Sequence, residues 1–468
     1  MLRSLLLPNP HLTPIALAAI CIWLATFLWP EIWIGAAAWG VRAACLALWT
    51  WAVGAVFFRQ GDWLTFASPQ FVLVTSALWL YAIIPVGVAM LIFTTDWAWL
   101  AGIIVSQTYP GLIERIIGSE GELAILRFSL VGIAGLAWVV PVGSSVRKLS
   151  EHPADLPSRR IVLGVGVGAA LVYCLQRYVG FDKLQGVWAE MSGHATFSAL
   201  LLYLLAAALA TVRAIMGIKG ARVDLAMLWI GAIGPALFGG LKSVVFFFVV
   251  AGLVVALSRR SGTAVAGVVA LSLGLLVLGV ATKQFPSASF KEKLGYAGMI
   301  LGAKTVVRQA ETVDCLTGAM RARLSAGGEQ SSSLYFMAGL VPRVLWPDKP
   351  NLSISGKTII SYCHPSAEPN LRTDHSASGT LLWEPVAFAG ISGQITAQTL
   401  TFAILIVLSR LWLNGGPYAA AGVLALTPWT IDFDQHFALY IANLTKAGLV
   451  ISVSLFLLAW AGRILRRQ

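Results

Sequence analysis

The sequence predicts an all-α polytopic membrane protein with about twelve transmembrane helices and one large extracytoplasmic loop. The first reason is composition, since 58% of the 468 residues are hydrophobic and 12% are charged, whereas soluble proteins carry about 25% charged residues. The second is that apolar runs approaching the roughly 20 residues needed to cross a bilayer recur through most of the chain. The third is the set of 18 tryptophans, whose amphipathic rings favour the membrane interface.

The predicted spans form two groups that are separated by a long polar segment. They lie near Leu12–Trp29, Trp33–Phe57, Phe71–Phe93, Leu123–Val142, Ile161–Leu175, Ala195–Val212, Leu225–Gly240, Lys242–Ser258, Gly262–Ala281, Pro385–Leu408, Tyr418–Thr430 and Phe437–Leu458. We interpret the first as an uncleaved span and not a signal peptide, because similar segments follow at once. The chain therefore divides into a bundle of about nine spans (1–281), a loop (282–384) and a bundle of about three spans (385–468).

The short loops indicate how the protein is oriented, because lysines and arginines near span ends are retained in the cytoplasm. With the spans above, four basic clusters fall on one side of the membrane. They are Arg147, Lys148, Arg159 and Arg160; Arg213, Lys219 and Arg222; Arg259 and Arg260; and Arg463, Arg466 and Arg467. This distribution predicts that both termini are cytoplasmic and that the long loop is outside.

The formal net charge of +12 comes partly from these cytoplasmic clusters and partly from basic residues on the outer side. The long loop is itself basic, and isolated cations reach the same face at Arg127, Arg177, Lys183 and Lys242. Positive charge there has no anchoring role, so we interpret it as a site for an anionic ligand. Nucleic acid is not expected, because the chain shows no nucleic-acid-binding module and no single basic stripe. A lipid-linked diphosphate in the outer leaflet fits better.

The most informative segment runs from Ser331 to Gly393. Three prolines break any helix there and predict a rigid turn that presents two cations and an indole ring. The prolines are Pro342, Pro347 and Pro350, and the presented residues are Arg343, Trp346 and Lys349. Arginine suits paired phosphate oxygens, whereas lysine acts as a point charge. Glu384 follows where the loop re-enters the membrane, and the small residues Gly390 and Gly393 are expected to permit close helix packing.

The element PRVLWPDKP, residues Pro342–Pro350, resembles the loop signature of bacterial oligosaccharide repeat-unit polymerases, the Wzy-type O-antigen polymerase family. Glu384, Gly390 and Gly393 resemble the E-x5-G-x2-G re-entry segment of that family, and the span pattern is similar too. The resemblance is specific over about sixty residues. One departure is that members often carry an arginine after Gly-Ser at an outer hairpin turn, where this chain has GGLKSVV, so that Lys242 stands in for it.

The resemblance implies a GT-C-like inverting membrane glycosyltransferase that joins repeat units carried on undecaprenyl diphosphate at the outer face of the bacterial inner membrane. An acceptor hydroxyl attacks the anomeric carbon, and cations stabilise the departing diphosphate. The catalytic candidates are Arg343, Glu384 and His375, with Asp374 as a further candidate base. The candidates for binding diphosphate or glycan are Arg308, Lys242, Lys349, Arg372 and Trp346. The expected partners are the lipid-linked glycan, membrane lipids and a chain-length regulator.

The remaining site predictions concern metals and cysteines. No metal-ligand cluster is evident, and no cofactor is expected. Cys315 and Cys363 are the two of five cysteines outside the predicted spans, and the oxidising compartment predicts a disulfide between them. Two unpaired thiols are the alternative. Asp432, Asp434 and Lys446, near the last span, are either a buried polar network or part of the glycan path.

Two other functions stay open at this point. An O-antigen ligase-like enzyme would use the same carrier with a lipid A core or protein acceptor, although the Pro-Arg-x-x-Trp-Pro element favours the polymerase. A transporter of lipid-linked sugars is the more distant alternative. Against transport stand the absence of visible internal repeats and the concentration of charge in one external loop instead of at the bilayer midplane.

Overall fold

The structure is a computed structural model, and its regular elements are helices. It describes residues 8–28, 30–60, 63–84, 117–140, 156–179, 187–235, 241–259, 312–320, 380–433 and 435–467, with isolated positions between 263 and 270 and at 341 and 346. No strand occurs within these residues. The predicted helical class is therefore confirmed for the part of the chain that the structure describes.

The N-terminal part contains helices α1 (Thr13–Leu28), α2 (Ala38–Gly54), α3 (Pro69–Ser76) and α4 (Glu120–Val139). Short 3-10 turns at Pro30–Trp33, Gly35–Ala37 and Trp63–Ala67 lie between them, and π-helical segments extend α2 over Ala55–Gln60 and α3 over Ala77–Ile83. Serine caps start two of the helices. Ser68 Oγ accepts from the Phe71 N–H at 3.4 Å, and Ser119 Oγ accepts from the Glu122 N–H at 3.2 Å. Each serine thereby satisfies an N–H group that the helix itself leaves unpaired.

The middle part contains α5 (Arg159–Val179), α6 (Val187–Ile215), α7 (Ala221–Gly231) and α8 (Leu241–Ser258). Helix α7 follows Gly220, whose φ of 83° lies in the left-handed region that favours glycine. It ends earlier than the predicted span Leu225–Gly240, and one further turn, Ile233–Pro235, follows. The predicted ninth span, Gly262–Ala281, lies mostly outside the described residues.

The C-terminal part contains α9 (residues 312–320), α10 (Trp383–Asn414), α11 (Gly416–Thr430) and α12 (Phe437–Arg467). Helix α9 belongs to the predicted loop, whereas α10 to α12 correspond to the last three predicted spans. The observed helices α10 and α12 are longer than those spans, because the sequence pattern marks the apolar stretch and not the polar turns that continue a helix beyond it.

Six of the described helices are long and apolar enough to cross a membrane. They are Ala38–Phe58, Glu120–Val139, Arg159–Val179, Gly193–Ile215, Ala389–Asn414 and Phe437–Ala461. Three shorter apolar helices, Thr13–Leu28, Pro69–Ile83 and Ser243–Ser258, accompany them. This set is that of a helical membrane protein.

Helix α4 lies at the centre of the bundle and is buried along almost its whole length. Glycines on α4 allow its neighbours to approach closely. A Cβ atom at Gly132 would lie 2.2 Å from Val74 Cγ2 of α3 and 2.7 Å from the Phe402 ring of α10. One turn away, Phe128 packs on Phe402 with ring centroids 4.6 Å apart. Helix α4 therefore holds the N-terminal and C-terminal parts together.

The two ends of the bundle differ in chemistry. At one end Arg213 donates to the Pro157 carbonyl at 2.6 Å, and Arg159 Nε donates to Asp224 Oδ1 at 2.5 Å. Phe197, near the start of α6, packs on Trp429, near the end of α11, with ring centroids 5.3 Å apart. The end of α6 that carries Arg213 is therefore opposite the turn between α11 and α12.

Asn9 and the end of α10 lie at the basic end of the bundle. The Asn9 N–H donates to the Ala137 carbonyl at 2.6 Å near the end of α4, and Arg410 Nε donates to the neighbouring Trp138 carbonyl at 2.6 Å. The opposite end, which we call the α12 end, contains the start of α4, helix α9, the start of α10 and the turn before α12. Helix α9 and Glu384, which belong to the segment predicted to lie outside, are found at this end.

Candidate functional site

The structure describes four of the residues that the sequence predicts to form the site. Glu384 is buried at the start of α10, and Trp346 is exposed. Lys242 is the second residue of α8. Cys315 is disulfide-bonded in α9, whereas Cys21, Cys45 and Cys174 are free thiols. The other predicted site residues lie outside the described residues: Arg343, His375, Asp374, Arg308, Lys349, Arg372 and Cys363.

The re-entry segment Trp383–Gly393 is a helix start with a sharp break. Gly390 has φ 57° and ψ −133°, a conformation essentially limited to glycine, and it interrupts the helical geometry of α10. Beyond the break, a Cβ atom at Gly393 would lie 1.9 Å from the Pro385 carbonyl oxygen. The close approach at Gly393 is therefore to the first turn of α10 itself, whereas an added Cβ at Gly390 would meet nothing within 4 Å. The two glycines permit α10 to fold back on its own first turn.

Glu384 connects the start of α10 to the start of α12. Its Oε2 accepts a hydrogen bond from the Ala438 N–H at 2.9 Å, in the first turn of α12. Next to this contact, the Leu381 N–H donates to the Phe433 carbonyl at 3.0 Å. Burial raises the pKa of Glu384 above its ordinary value, and the Ala438 hydrogen bond opposes this shift. The carboxyl group thus caps the last helix.

His436 is a buried residue of this site that the sequence reasoning missed. Its carbonyl accepts the first helical hydrogen bond of α12, from the Tyr440 N–H at 2.8 Å. Its ring lies edge-on to Trp383 with centroids 6.5 Å apart. Its side chain is 9% exposed, and within the described residues Nδ1 has no hydrogen-bond partner. The polar run Asp432–His436 between two apolar spans was the signal that could have identified it.

A chain of hydrogen bonds surrounds the start of α12. Asn443 Nδ2 donates to Gln435 Oε1 at 3.2 Å, and Gln435 Nε2 donates to Asp432 Oδ2 at 2.8 Å. Both amide side chains are partly buried, as is Lys446 one turn beyond Asn443. Of the group left open by the sequence, Asp432 therefore belongs to a polar network, and Asp434 lies outside the described residues. The network runs from the α12 end into a helix that is apolar enough to cross a membrane.

Helix α9 docks on the start of α4 and of α10. The Gly121 N–H donates to Thr317 Oγ1 at 3.1 Å, and a Cβ atom at Gly121 would lie 2.3 Å from the Val313 carbonyl oxygen. The Trp383 indole N–H donates to the Cys315 carbonyl at 3.2 Å. Part of the predicted loop is thus fixed against the membrane helices beside Glu384.

A buried ion pair lies under this docking surface. Arg42 donates to Glu122 Oε1 from Nε at 3.0 Å and also from a terminal nitrogen, while Glu122 Oε2 accepts from the Gly118 N–H at 2.7 Å. The Arg42 guanidinium stacks 4.1 Å above the Trp39 ring. A pair as buried as this one leaves a costly charge behind when one partner is removed. We therefore assign it to holding α2 against α4.

Arg127 lies deeper than the sequence indicated. It is the eighth residue of α4 and is 2% exposed. Its guanidinium donates from Nε to Thr26 Oγ1 at 2.9 Å and also bonds the Thr26 carbonyl, and it lies 3.9 Å from the Phe27 ring centroid. These contacts connect α4 to α1. Arg177, by contrast, is exposed in the last turn of α5.

The geometry places a buried acid, a buried imidazole and a hydrogen-bonded amide chain at one end of the bundle. Comparison with protein-family models, curated proteins and solved structures finds no match. Within the described residues, no group of three His, Cys, Asp or Glu side chains is arranged to hold a metal ion. The chemistry available at the α12 end is proton transfer and hydrogen bonding to a polar ligand.

Proposed function

We propose that the protein is a membrane glycosyltransferase that polymerises undecaprenyl-diphosphate-linked repeat units at the outer face of a bacterial inner membrane. The twelve-span, GT-C-like arrangement with cytoplasmic termini belongs to this proposal. An acceptor sugar hydroxyl attacks the anomeric carbon of the donor glycan with inversion. The departing lipid diphosphate is stabilised by cations of the loop and by Lys242.

The observation that carries the proposal is the structure of the re-entry segment. Glu384, Gly390 and Gly393 belong to one sharply broken helix start, whose buried first turn contacts the first turn of α12 and whose break at Gly390 is partly exposed. Irregular backbone at the edge of a membrane bundle is tolerated where it is buried in protein or lines a wet cavity. The three residues of the sequence resemblance thus form a single structural unit, which supports a functional reason for their spacing.

The α12 end also supports the proposal through its polarity. His436, Asp432, Gln435 and Asn443 gather within a few residues of the Glu384 contact. Amide and carboxylate side chains bind sugar hydroxyls well, because an amide both donates and accepts hydrogen bonds and a carboxylate accepts them. The acceptor glycan is therefore expected at this end, beside helix α9 and the start of α10.

The test is polymerisation by membranes that contain the protein, supplied with undecaprenyl-diphosphate-linked repeat units. We expect a ladder of glycan lengths from these membranes, and accumulation of single repeat units when the gene is deleted. Transfer of single units to a lipid A core or a protein would instead identify a ligase. Failure to form any new glycosidic bond would reject the enzymatic proposal.

The same assay tests the predicted diphosphate contact. Arg343→Lys keeps the charge and removes the planar pair of donors. We expect it to lower polymerisation by about 100-fold or more, which corresponds to roughly 2.7 kcal/mol of transition-state stabilisation. Arg160→Lys, at an exposed position in α5, is the matched control. A folded Arg343→Lys protein with a near-normal ladder would exclude the bidentate role and leave Arg308 and Lys242 as the candidates.

One observation favours a second function, the transport of a lipid-linked sugar. Transporters use discontinuous helices at their substrate sites, and α10 is interrupted at Gly390. If the protein is a transporter, lipid-linked repeat units should cross the membrane of sealed vesicles, and the length of their glycans should not change. Polymerisation predicts a change in length without such crossing, so one vesicle preparation with both readouts separates the two functions.

A further inference from the structure

Among the described residues of the α12 end, His436 is the histidine that combines deep burial with a ring nitrogen that lacks a hydrogen-bond partner. It is 9% exposed, and Nδ1 has no hydrogen-bond partner within the described residues. A buried polar atom without a partner destabilises the folded protein. Such an atom is expected to be retained where a ligand or a water molecule completes its hydrogen bonding.

The surroundings of His436 indicate the chemistry of that ligand. The hydrogen-bonded chain Asp432–Gln435–Asn443 begins four residues before His436 and ends in α12. The Trp383 ring lies edge-on to the imidazole. The indole ring is fully buried and supports the imidazole from the protein side. The amides and the carboxylate suit a ligand that is rich in hydroxyl groups.

We propose that His436, with the Asp432–Gln435–Asn443 chain, forms a site for the acceptor glycan, and that Nδ1 of His436 accepts the proton of the attacking hydroxyl. This inference rests on the proposed function and deepens it. The acceptor oxygen forms the new bond to the anomeric carbon while its proton passes to Nδ1. The bond between that carbon and the diphosphate oxygen breaks, and its electron pair leaves with the diphosphate. No other reactant is required.

The assignment separates the roles of the two ionisable side chains beside Trp383. Glu384 already accepts a hydrogen bond from the Ala438 N–H and so holds the start of α12 in place. It is thereby a positioning residue for His436, two positions before Ala438. His436 Nδ1, in contrast, makes no hydrogen bond within the described residues.

The protonation state of His436 agrees with a role as proton acceptor. Burial lowers its pKa below the ordinary value of 6.5, so the imidazole is neutral near pH 7. The titratable groups on the elements that meet here are Glu384 on α10, Asp432 before α12 and Asp314 on α9. Ionised carboxylates would raise the pKa of an imidazole, whereas the pKa of His436 is shifted downward, with desolvation as the cause.

The experiment compares His436→Gln with His11→Gln. Glutamine keeps a polar side chain of similar size but is not a base, and His11 is exposed at the opposite end of the bundle. We expect His436→Gln to lower the turnover number for polymerisation by about 100-fold or more. The fall of the wild-type rate between pH 7 and 5 should also disappear. His11→Gln should match the wild type in both readouts.

A second measurement separates binding from catalysis. The repeat-unit oligosaccharide, released from its carrier, is titrated into detergent-solubilised protein by calorimetry. Gln435→Ala and Asn443→Ala should weaken its binding by about fivefold or more, since each removes hydrogen bonds to the ligand or its neighbours. His436→Gln should leave the binding within about threefold. Unchanged turnover and pH profile in folded His436→Gln would overturn the catalytic assignment.

Failure of the inference can be distinguished from failure of the proposed function. If the wild type makes no ladder but binds the oligosaccharide through Gln435 and Asn443, the polymerase proposal fails and the glycan site stands. If the wild type makes a ladder and none of the three α12-end variants changes turnover or binding, the function stands and the site is wrong. Wild-type protein that neither polymerises nor binds the oligosaccharide rejects both.

Discussion

Glu384 shows how one buried carboxyl group joins the start of α10 to the start of α12. Its hydrogen bond to the Ala438 N–H replaces the intrahelical partner that the first turn of α12 lacks. The sequence predicted Glu384 as a candidate base, and the structure adds a structural role. Separating the two roles requires a substitution that keeps the acceptor atom but cannot take up a proton.

We predict that Glu384→Gln keeps the cap, whereas Glu384→Ala lowers the free energy of unfolding by about 1 kcal/mol. The wild-type pKa is raised above 4.5 by burial. Its contribution to stability is therefore complete below the unfolded pKa and is lost as pH rises through the folded pKa. Thermal unfolding in detergent from pH 4 to 8 should show this loss in the wild type and not in Glu384→Gln. If the wild type and Glu384→Gln showed the same pH dependence of thermal unfolding, the raised pKa of Glu384 would be contradicted.

At the scale of elements, α10 is a helix in two parts, and its break depends on one backbone position. Gly390 has a conformation that an L side chain rarely adopts. The first part presents Trp383 and Glu384 to α9 and α12, and the second part crosses the bundle. Straightening the helix would move the first part away from both neighbours.

We predict that Gly390→Ala lowers the free energy of unfolding by roughly 1 to 3 kcal/mol, because alanine is strained at this φ and ψ. It should also reduce polymerisation more than it reduces the amount of folded protein, since it displaces Glu384. Gly448→Ala, in α12 where an added Cβ meets nothing within 4 Å, is the matched control. Stability is measured by thermal unfolding of detergent-solubilised protein. If Gly390→Ala unfolds at the wild-type temperature and polymerises at the wild-type rate, the break in α10 is not required.

Helix α9 is a second element whose position depends on a distant part of the chain. We predict that peptide mapping without reductant recovers Cys315 joined to Cys363, with Cys21, Cys45 and Cys174 alkylated after denaturation. Closing a loop of this length contributes on the order of 4 kcal/mol in the chain-entropy model. Reduction should therefore lower the unfolding temperature of the wild type but not that of Cys315→Ser/Cys363→Ser. Recovery of Cys315 joined to any other cysteine would reject the pairing.

At the scale of the whole molecule, the bundle has one basic end and one end that gathers buried polar groups. Arg159, Arg213 and Arg410 lie at the first, and Glu384 and His436 lie at the second. The sequence assigned the first end to the cytoplasm from its loop charges. Contacts between helices place the three arginines at one end of the bundle and the two buried polar residues at the other. The compartment that each end faces stays a prediction.

We predict that a reporter fused after Ser325 is active only outside the cytoplasm and that one fused after Pro153 is active only inside. The physical reason is that short basic loops are retained by the cytoplasmic side, whereas a long loop is translocated largely regardless of charge. Alkaline phosphatase and a cytoplasm-dependent fluorescent protein provide opposite readouts at each site. The reverse pattern would reject both the topology and the proposed outer site.

The sequence by itself determined the helical class and the position of the described apolar helices, because a long apolar run is a local property that composition records directly. It also singled out Glu384, Gly390 and Gly393, through their resemblance to the re-entry segment of a known family. Only the tertiary structure decided what these residues contact. One hydrogen bond joins Glu384 to Ala438, and His436 is buried against Trp383. Each contact connects positions about 50 residues apart. No local pattern encodes such contacts, because they depend on how separate helices pack against one another.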